Sequence, residues 1–300
     1  MNDIPLYIRQ TRTLGTEAVF ERGLMEFLFG TRLGFWLAET VLKHHWPTAL
    51  YAYWQHSAFT KPKINQFVAQ YGINTAEIER PLESFTSFND FFIRKLKASA
   101  RPIDWTPAHL IAPADARLLV YEIKRDTVLP VKGRAFTLNE LLRSSIAADY
   151  LDGLCLIFRL APVDYHRFGY IDDGEQSPIT VINGFYRSVN PLALWRQLPV
   201  FSENQREYCV LHTRNFGAVI HVDVGATGVG RMVQHQRQGG PCQRGQEKGY
   251  FEFGGSTSIL LFKPGVVRLD DDIAAYSAKG IETLVRYGEK IGSRLAADER

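Results

Sequence analysis

Apolar positions recur at helical spacing through residues 17–46, while Arg32, Glu39 and Lys43 stand seven and four residues apart and so share one face. This pattern predicts one or two amphipathic helices. Aromatic and long aliphatic residues crowd the other face, among them Phe27, Phe29, Phe35, Trp36 and Trp46, followed by Tyr51, Tyr53 and Trp54. Such a face suits either a helical hairpin packed on its own core or an anchor lying in a membrane interface. The most apolar stretch, residues 27–38, is interrupted by Arg32 and bounded by Glu26 and Glu39. It falls short of the ~20 apolar residues a spanning helix needs. Residues 65–71 and 87–97 predict two further short helices. In the second, Ser87 is placed to cap the first turn, with Asp90 near the start and Arg94, Lys95 and Lys97 near the end, as the helix dipole favours.

Beyond about residue 105 the pattern changes to short apolar runs of strand length, at 117–123, 154–160, 208–212, 218–224 and 258–262, separated by Gly, Pro and Asp. Residues 280–297 read as a terminal helix. The expected fold is therefore α+β, with N-terminal amphipathic helices (1–104) packed on a β-rich, sandwich- or barrel-like core (105–300). No segment repeats at a fixed period.

Composition narrows the class. Among 300 residues, 35 Lys plus Arg against 32 Asp plus Glu give a net charge of +3, and 45% of positions are hydrophobic, which excludes disorder as the main state. No long Lys/Arg run supports nucleic-acid binding. Cys155, Cys209 and Cys242 are odd in number and lack CxxC spacing, so neither a disulfide framework nor a thiolate zinc site is expected. The first ten residues contain Asp3 and Pro5 and no apolar run, so no export signal is expected there.

Three segments carry candidate chemistry. Gly254-Gly255-Ser256-Thr257-Ser258 precedes an apolar strand, where small residues permit a tight turn. It is not a hydrolase elbow, since position 258 is Ser where Gly-x-Ser-x-Gly needs Gly, and Ile259 stands where Ser-x-x-Lys needs Lys. His166 lies between Asp164 and Arg167 at the end of a strand-like run, and Asp115 follows Pro113 just before another. Each also fits a structural role, the aspartate as a turn residue satisfying its own backbone. The glycines of VGATGVG (224–230) are not in dinucleotide-fingerprint order. The adjacent His44 and His45 cannot share a helix face and no HExxH occurs, so no metal site is expected.

Taken together, the chain resembles the phosphatidylserine decarboxylases, pyruvoyl-dependent enzymes that make their own cofactor. The resemblance rests on SFNDFFIRKLK (87–97), RPID (101–104), APAD (112–115), VKGRAFTLNELL (131–142), RLAPVDYHRF (159–168), VGATGVG (224–230) and KGYFEFGGSTSILLF (248–262), in order and at matching spacing over residues 85–265. It implies that the Ser256 hydroxyl attacks the Gly255 carbonyl. Cleavage between them would leave a β chain of residues 1–255 and an α chain of 256–300 whose first residue becomes the pyruvoyl group. That carbonyl would take the substrate amine as a Schiff base and act as electron sink for loss of CO₂. By resemblance, His166 serves the decarboxylation step and Asp115 supports the processing base. The N-terminal helices correspond to the family's membrane-docking region, which implies a peripheral protein on the cytoplasmic side of a membrane, a phospholipid substrate and a homodimer.

Two positions depart from the family pattern. The family usually reads His-Arg-x-His, and the second histidine is the processing base; here that place is Gly169. Ala116 stands where Gly commonly follows the aspartate. His166, His212 and His221 are the alternatives as base. Two other functions stay open on sequence: a pyruvoyl decarboxylase of a soluble amino acid, and an unprocessed homologue that binds lipid or a partner.

Overall fold

The structure is a computed structural model that describes residues 4–17, 21–124, 136–194, 196, 200–226, 231–253 and 256–296. Gly254, Gly255, residues 131–135 of the VKGRAF segment and residues 227–230 of VGATGVG lie outside the described residues.

The chain opens with a strand pair that periodicity did not reveal, β1 (Pro5–Ile8) and β2 (Thr13–Thr16). The helical pattern expected over 17–46 resolves into α1 (Arg22–Gly30), α2 (Arg32–Leu37) and a π turn over Ala38–Leu42, and a further helix, α3 (His45–Gln55), follows it. Thr31 separates the first two: its backbone is extended, and its hydroxyl accepts from the Gly34 amide at 3.0 Å. Next come α4 (Lys63–Tyr71) and α5 (Phe88–Phe92). Ser87 caps α5 as expected, accepting the Asp90 amide at 3.2 Å, but the helix ends at Phe92 rather than continuing to residue 97.

The remaining strands are β3 (His109–Ile111), β4 (Ala116–Glu122), β5 (Leu154–Leu160), β6 (Arg167–Gly169), β7 (Gly174–Gln176), β8 (Thr180–Ile182), β9 (Arg206–Thr213) and β10 (Gly217–Gly225). They continue with β11 (Met232–Gln234), β12 (Gly240–Cys242), β13 (Glu247–Phe251), β14 (Ser256–Phe262), β15 (Val267–Leu269), β16 (Glu282–Val285) and β17 (Lys290–Arg294). The expected terminal helix over 280–297 is therefore corrected to two strands. Ile281, Thr283 and Val285 are β-branched, and β16 finds partners on both sides, antiparallel β4 and parallel β1. A short helix, Asp271–Ser277, precedes them.

The architecture is α+β with a β-rich core, as expected, and the sheet does not close into a barrel. Its order is β12-β7-β9-β10-β14-β5-β4-β16-β1-β2, with β8 beside β9, and β11-β13-β6 and β15-β17-β3 form two smaller sheets. β14 lies between β10 and β5, antiparallel to both, and each of its seven residues is buried. A separate aromatic core, with Phe67, Phe85, Phe88, Phe91 and Phe92, joins the helices to Phe253. Cys155, Cys209 and Cys242 are free and buried.

Candidate active site

Ser256 is the first residue of β14, and its register partners are the last residues of the flanking strands, Gly225 of β10 and Leu160 of β5. The serine is fully buried at the end of the sheet where both neighbours stop. From Leu160 the chain turns back through residues 161–166, and this return brings His166 to the serine. His166 Nδ1 lies 3.4 Å from Ser256 Oγ, and its Nε2 lies 3.0 Å from the Ala161 carbonyl oxygen.

A carbonyl only accepts, so Nε2 carries the ring hydrogen and the Nδ1 lone pair faces the serine hydroxyl. Phe92 stacks on the imidazole at 4.0 Å between centroids and fixes its plane. Burial, with the charges of Arg94 and Arg117 adding to it, lowers the His166 pKa to about 3 against the opposing Ala161 contact. The ring is neutral at physiological pH. Arg94, just beyond α5, donates through Nη2 to the carbonyls of Val163 and Asp164 at 3.3 and 3.2 Å, so it braces the loop that carries the histidine. Its Nε and Nη1 are buried without a hydrogen-bond partner among the described residues.

Asp115 is buried nearby but is engaged elsewhere. Arg101 grips both its oxygens, with Nη2 at 2.6 Å, and the Tyr287 amide donates to Oδ1 at 2.8 Å. Ser256 and His166 are thus brought together, whereas Asp115 makes no hydrogen bond to either among the described residues. Gly169 ends β6 with no side chain to offer, and the space is filled. A Cβ there would collide with the Tyr287 hydroxyl and lie 2.8 Å from the Gln246 carbonyl oxygen. That hydroxyl donates to the Gly245 carbonyl at 3.0 Å. Of the other histidines, His212 is exposed on β9, and His221 pairs across from Leu260, four residues along β14 from Ser256 and therefore about 13 Å away.

Beneath the serine, on the same face of the sheet, lies a sealed ionic cluster that sequence reasoning missed. Asp223 Oδ1 accepts from Ser258 Oγ at 2.7 Å and His221 Nε2 at 3.0 Å, while Oδ2 accepts from Gln234 at 2.8 Å and Lys248 Nζ at 3.0 Å. Burial alone would push Asp223 up, but Lys248, His221 and Gln234 outweigh it and hold the carboxyl well below the usual range. Burial likewise opposes the charge on Lys248, and Asp223 raises it above its ordinary value. The opposite face carries a second network. Arg159 on β5 binds Glu17 and Glu282, each through a contact of 2.6 Å, and Arg117 reaches Glu17 at 3.1 Å and also pairs with Asp164. Glu17, expected as part of an amphipathic helix, is instead a buried anchor, and α1 begins at Arg22.

The helical region shows the reverse pattern. On α3, Trp46, Leu50, Tyr53 and Trp54 form an exposed stripe, while Thr48, Ala52 and Gln55 face inward. Leu24, Phe27, Leu33 and Trp36 of α1 and α2 are also exposed, as is Phe59 at 90%. No described helix is long and apolar enough to cross a membrane. From this surface an aromatic chain runs inward: Trp54 to Tyr51 at 6.0 Å, Tyr51 to Phe253 at 5.6 Å, Phe253 to Phe92 at 4.9 Å, and Phe92 to His166.

The family model of phosphatidylserine decarboxylase matches residues 88–293. The chain is 41% identical over 293 residues to the phosphatidylserine decarboxylase proenzyme of Desulfitobacterium hafniense (strain DSM 10664 / DCB-2), covering 97% of this chain and 98% of that protein. It is also 41% identical over 294 residues to the proenzyme of that name from Clostridium novyi (strain NT), covering 97% and 100%. With the serine and histidine of the GGST and DYHR segments meeting at the end of β14, the chain belongs to the phosphatidylserine decarboxylase family, a family of carboxy-lyases.

Proposed function

We propose that this protein decarboxylates phosphatidylserine to phosphatidylethanolamine, using a pyruvoyl group made from Ser256 by cleavage after Gly255. The observation that carries this reading is the buried Ser256 hydroxyl at the head of β14, 3.4 Å from the unprotonated nitrogen of His166. The residues present suit the group: a serine hydroxyl as its precursor, an imidazole at hydrogen-bond reach and, among the described residues, no carboxylate hydrogen-bonded to the serine. When formed, the pyruvoyl group supplies a carbonyl for the substrate amine and an electron sink for the departing CO₂.

The chain's own residues do the rest. His166 is held against the reacting centre by Phe92, Ala161 and the Arg94-braced loop, and returns a proton to the carbon that has lost CO₂. An anionic substrate entering beside a neutral imidazole raises its proton affinity, which favours that role. The unpartnered Nε and Nη1 of Arg94 offer donors to an anionic group of the substrate. After cleavage β14 remains hydrogen-bonded to β10 and β5, so the α chain stays in place.

The exposed stripe of α3, with Leu33, Trp36 and Phe59, supports peripheral docking on a lipid surface, and the aromatic chain leads from it toward His166. The homodimer and the cytoplasmic face of the membrane implied by the family belong to the same reading. The test is CO₂ release from vesicles containing phosphatidylserine, from vesicles lacking it, and from free serine. Activity on the first alone, lost in Ser256→Ala, is the expected result. Turnover of free serine without lipid would favour the soluble-substrate reading, and no turnover of either would favour a silent homologue.

A further inference from the structure

Resting on the reading of Ser256 as the pyruvoyl precursor, we infer that in this chain Nδ1 of His166 is the base that activates Ser256 for cleavage, in the place of a histidine at residue 169. The geometry leaves that nitrogen the nearest proton acceptor to the serine hydroxyl among the described residues. Position 169 has no side chain, and the volume where one would begin belongs to Tyr287. The Tyr287 hydroxyl is turned to the Gly245 carbonyl, and burial pushes its pKa up, so it is a poor base. Asp115 is held by Arg101 and the Tyr287 amide. His221 is bound to Asp223, and His212 is exposed.

The His166 ring, by contrast, is prepared on every side. The Ala161 carbonyl selects the tautomer, Phe92 fixes the plane, and nothing but Ser256 Oγ faces Nδ1 among the described residues. The 3.4 Å separation is longer than a settled O–H···N bond and shortens as the hydroxyl gives up its proton.

In the first step the Ser256 Oγ proton passes to His166 Nδ1 while Oγ bonds to the Gly255 carbonyl carbon. The bond from that carbon to the Ser256 nitrogen then breaks, the nitrogen takes the proton back, and an ester remains. Loss of the Ser256 Cα proton expels Oγ with the Gly255 carboxylate. Water then converts the resulting dehydroalanine to the pyruvoyl group with release of ammonia.

The experiment follows cleavage of freshly synthesised full-length chain by denaturing gel and intact mass, comparing the parent sequence with His166→Gln and Gly169→His. The glutamine can still donate to Ala161 but cannot accept a proton, and cleavage is expected to slow by about 100-fold or more. Gly169→His must displace Tyr287 and is expected to give no acceleration. Should His166→Gln fail to fold, the pH profile of the parent chain gives the answer. The charged groups around the imidazole are Arg94 beyond α5 and Arg117 on β4, with Asp164 on its own loop paired to Arg117, and the base stays neutral to about pH 3. Cleavage is therefore flat from pH 8 to 5.5, whereas a base titrating near 6.5 would lose about tenfold over that range, about fivefold of it over the last unit. A folded His166→Gln chain that cleaves at the parent rate, or a rate that falls through pH 6.5, overturns the inference. So does a parent chain that stays whole while Gly169→His cleaves, which leaves the decarboxylase reading standing. If both stay whole, self-processing itself is wrong.

Discussion

In the N-terminal helices large apolar side chains face outward while Thr48 and Gln55 turn in; in the sheet around Ser256, whole ionic networks are sealed from water. Both inversions are costly in a free-standing globule. Exposed Trp and Phe forgo roughly 1.5–3 kcal/mol each that burial would return, and a buried ion pair rarely repays its desolvation. The two regions differ in what absorbs the cost. The core charges are paired within the chain, on and around the strands that meet at Ser256, so they serve position. Most of the exposed helical side chains, Leu33, Trp36, Leu50 and Phe59 among them, are left uncovered by the described residues, and the proposed lipid surface is what would cover them.

The sharpest way to break this contrast is to leave one core charge alone. Lys248→Met strands Asp223 without its cation and is expected to cost about 3–5 kcal/mol in urea unfolding, with much of that regained in Lys248→Met/Asp223→Asn. Equal losses in the single and double variants would mean that the pair is not coupled. The helical side of the contrast predicts a different phenotype: replacing Trp36, Trp46 and Phe59 together by Ser leaves unfolding nearly unchanged but weakens binding to phosphatidylserine vesicles on the order of 100-fold. Loss of fold without loss of binding would reverse the assignment.

Much of this was legible in the sequence, and the failures have physical causes. Short apolar runs bounded by Gly, Pro and Asp identify β4, β5, β9, β10 and β14, and the spacing of apolar positions identifies α1, α2 and α4, whereas α3 begins where the expected helical pattern ends. The run 218–224 does not reveal the partners of His221 and Asp223: that face of β10 is covered by β11 and β13, whose Gln234 and Lys248 bind Asp223. Pairing of this kind is non-local and leaves no periodic trace. The C-terminal strands were misread because Gly280, at φ 69°, ends one element and begins no helix, and their partners lie on β1 and β4. Ser256 and His166 were found from their motifs. The engagement of Asp115 by Arg101, the filling of the residue-169 space by Tyr287 and the bracing by Arg94 needed three-dimensional contact.

A smaller effect joins the two regions. Ser87 caps α5, the helix whose last residue stacks on His166, and Ser87→Ala is expected to cost about 1 kcal/mol in stability and to slow cleavage only slightly. A large loss of cleavage with intact stability would show that the helical shell tunes the imidazole more tightly than stacking alone implies.

The central claim is that the buried Ser256 becomes a pyruvoyl group, and intact mass under denaturing conditions, before and after borohydride, tests it most directly. The account predicts two chains, residues 1–255 and 256–300, with a reducible carbonyl on the shorter one. A single unmodified chain of 300 residues would contradict it.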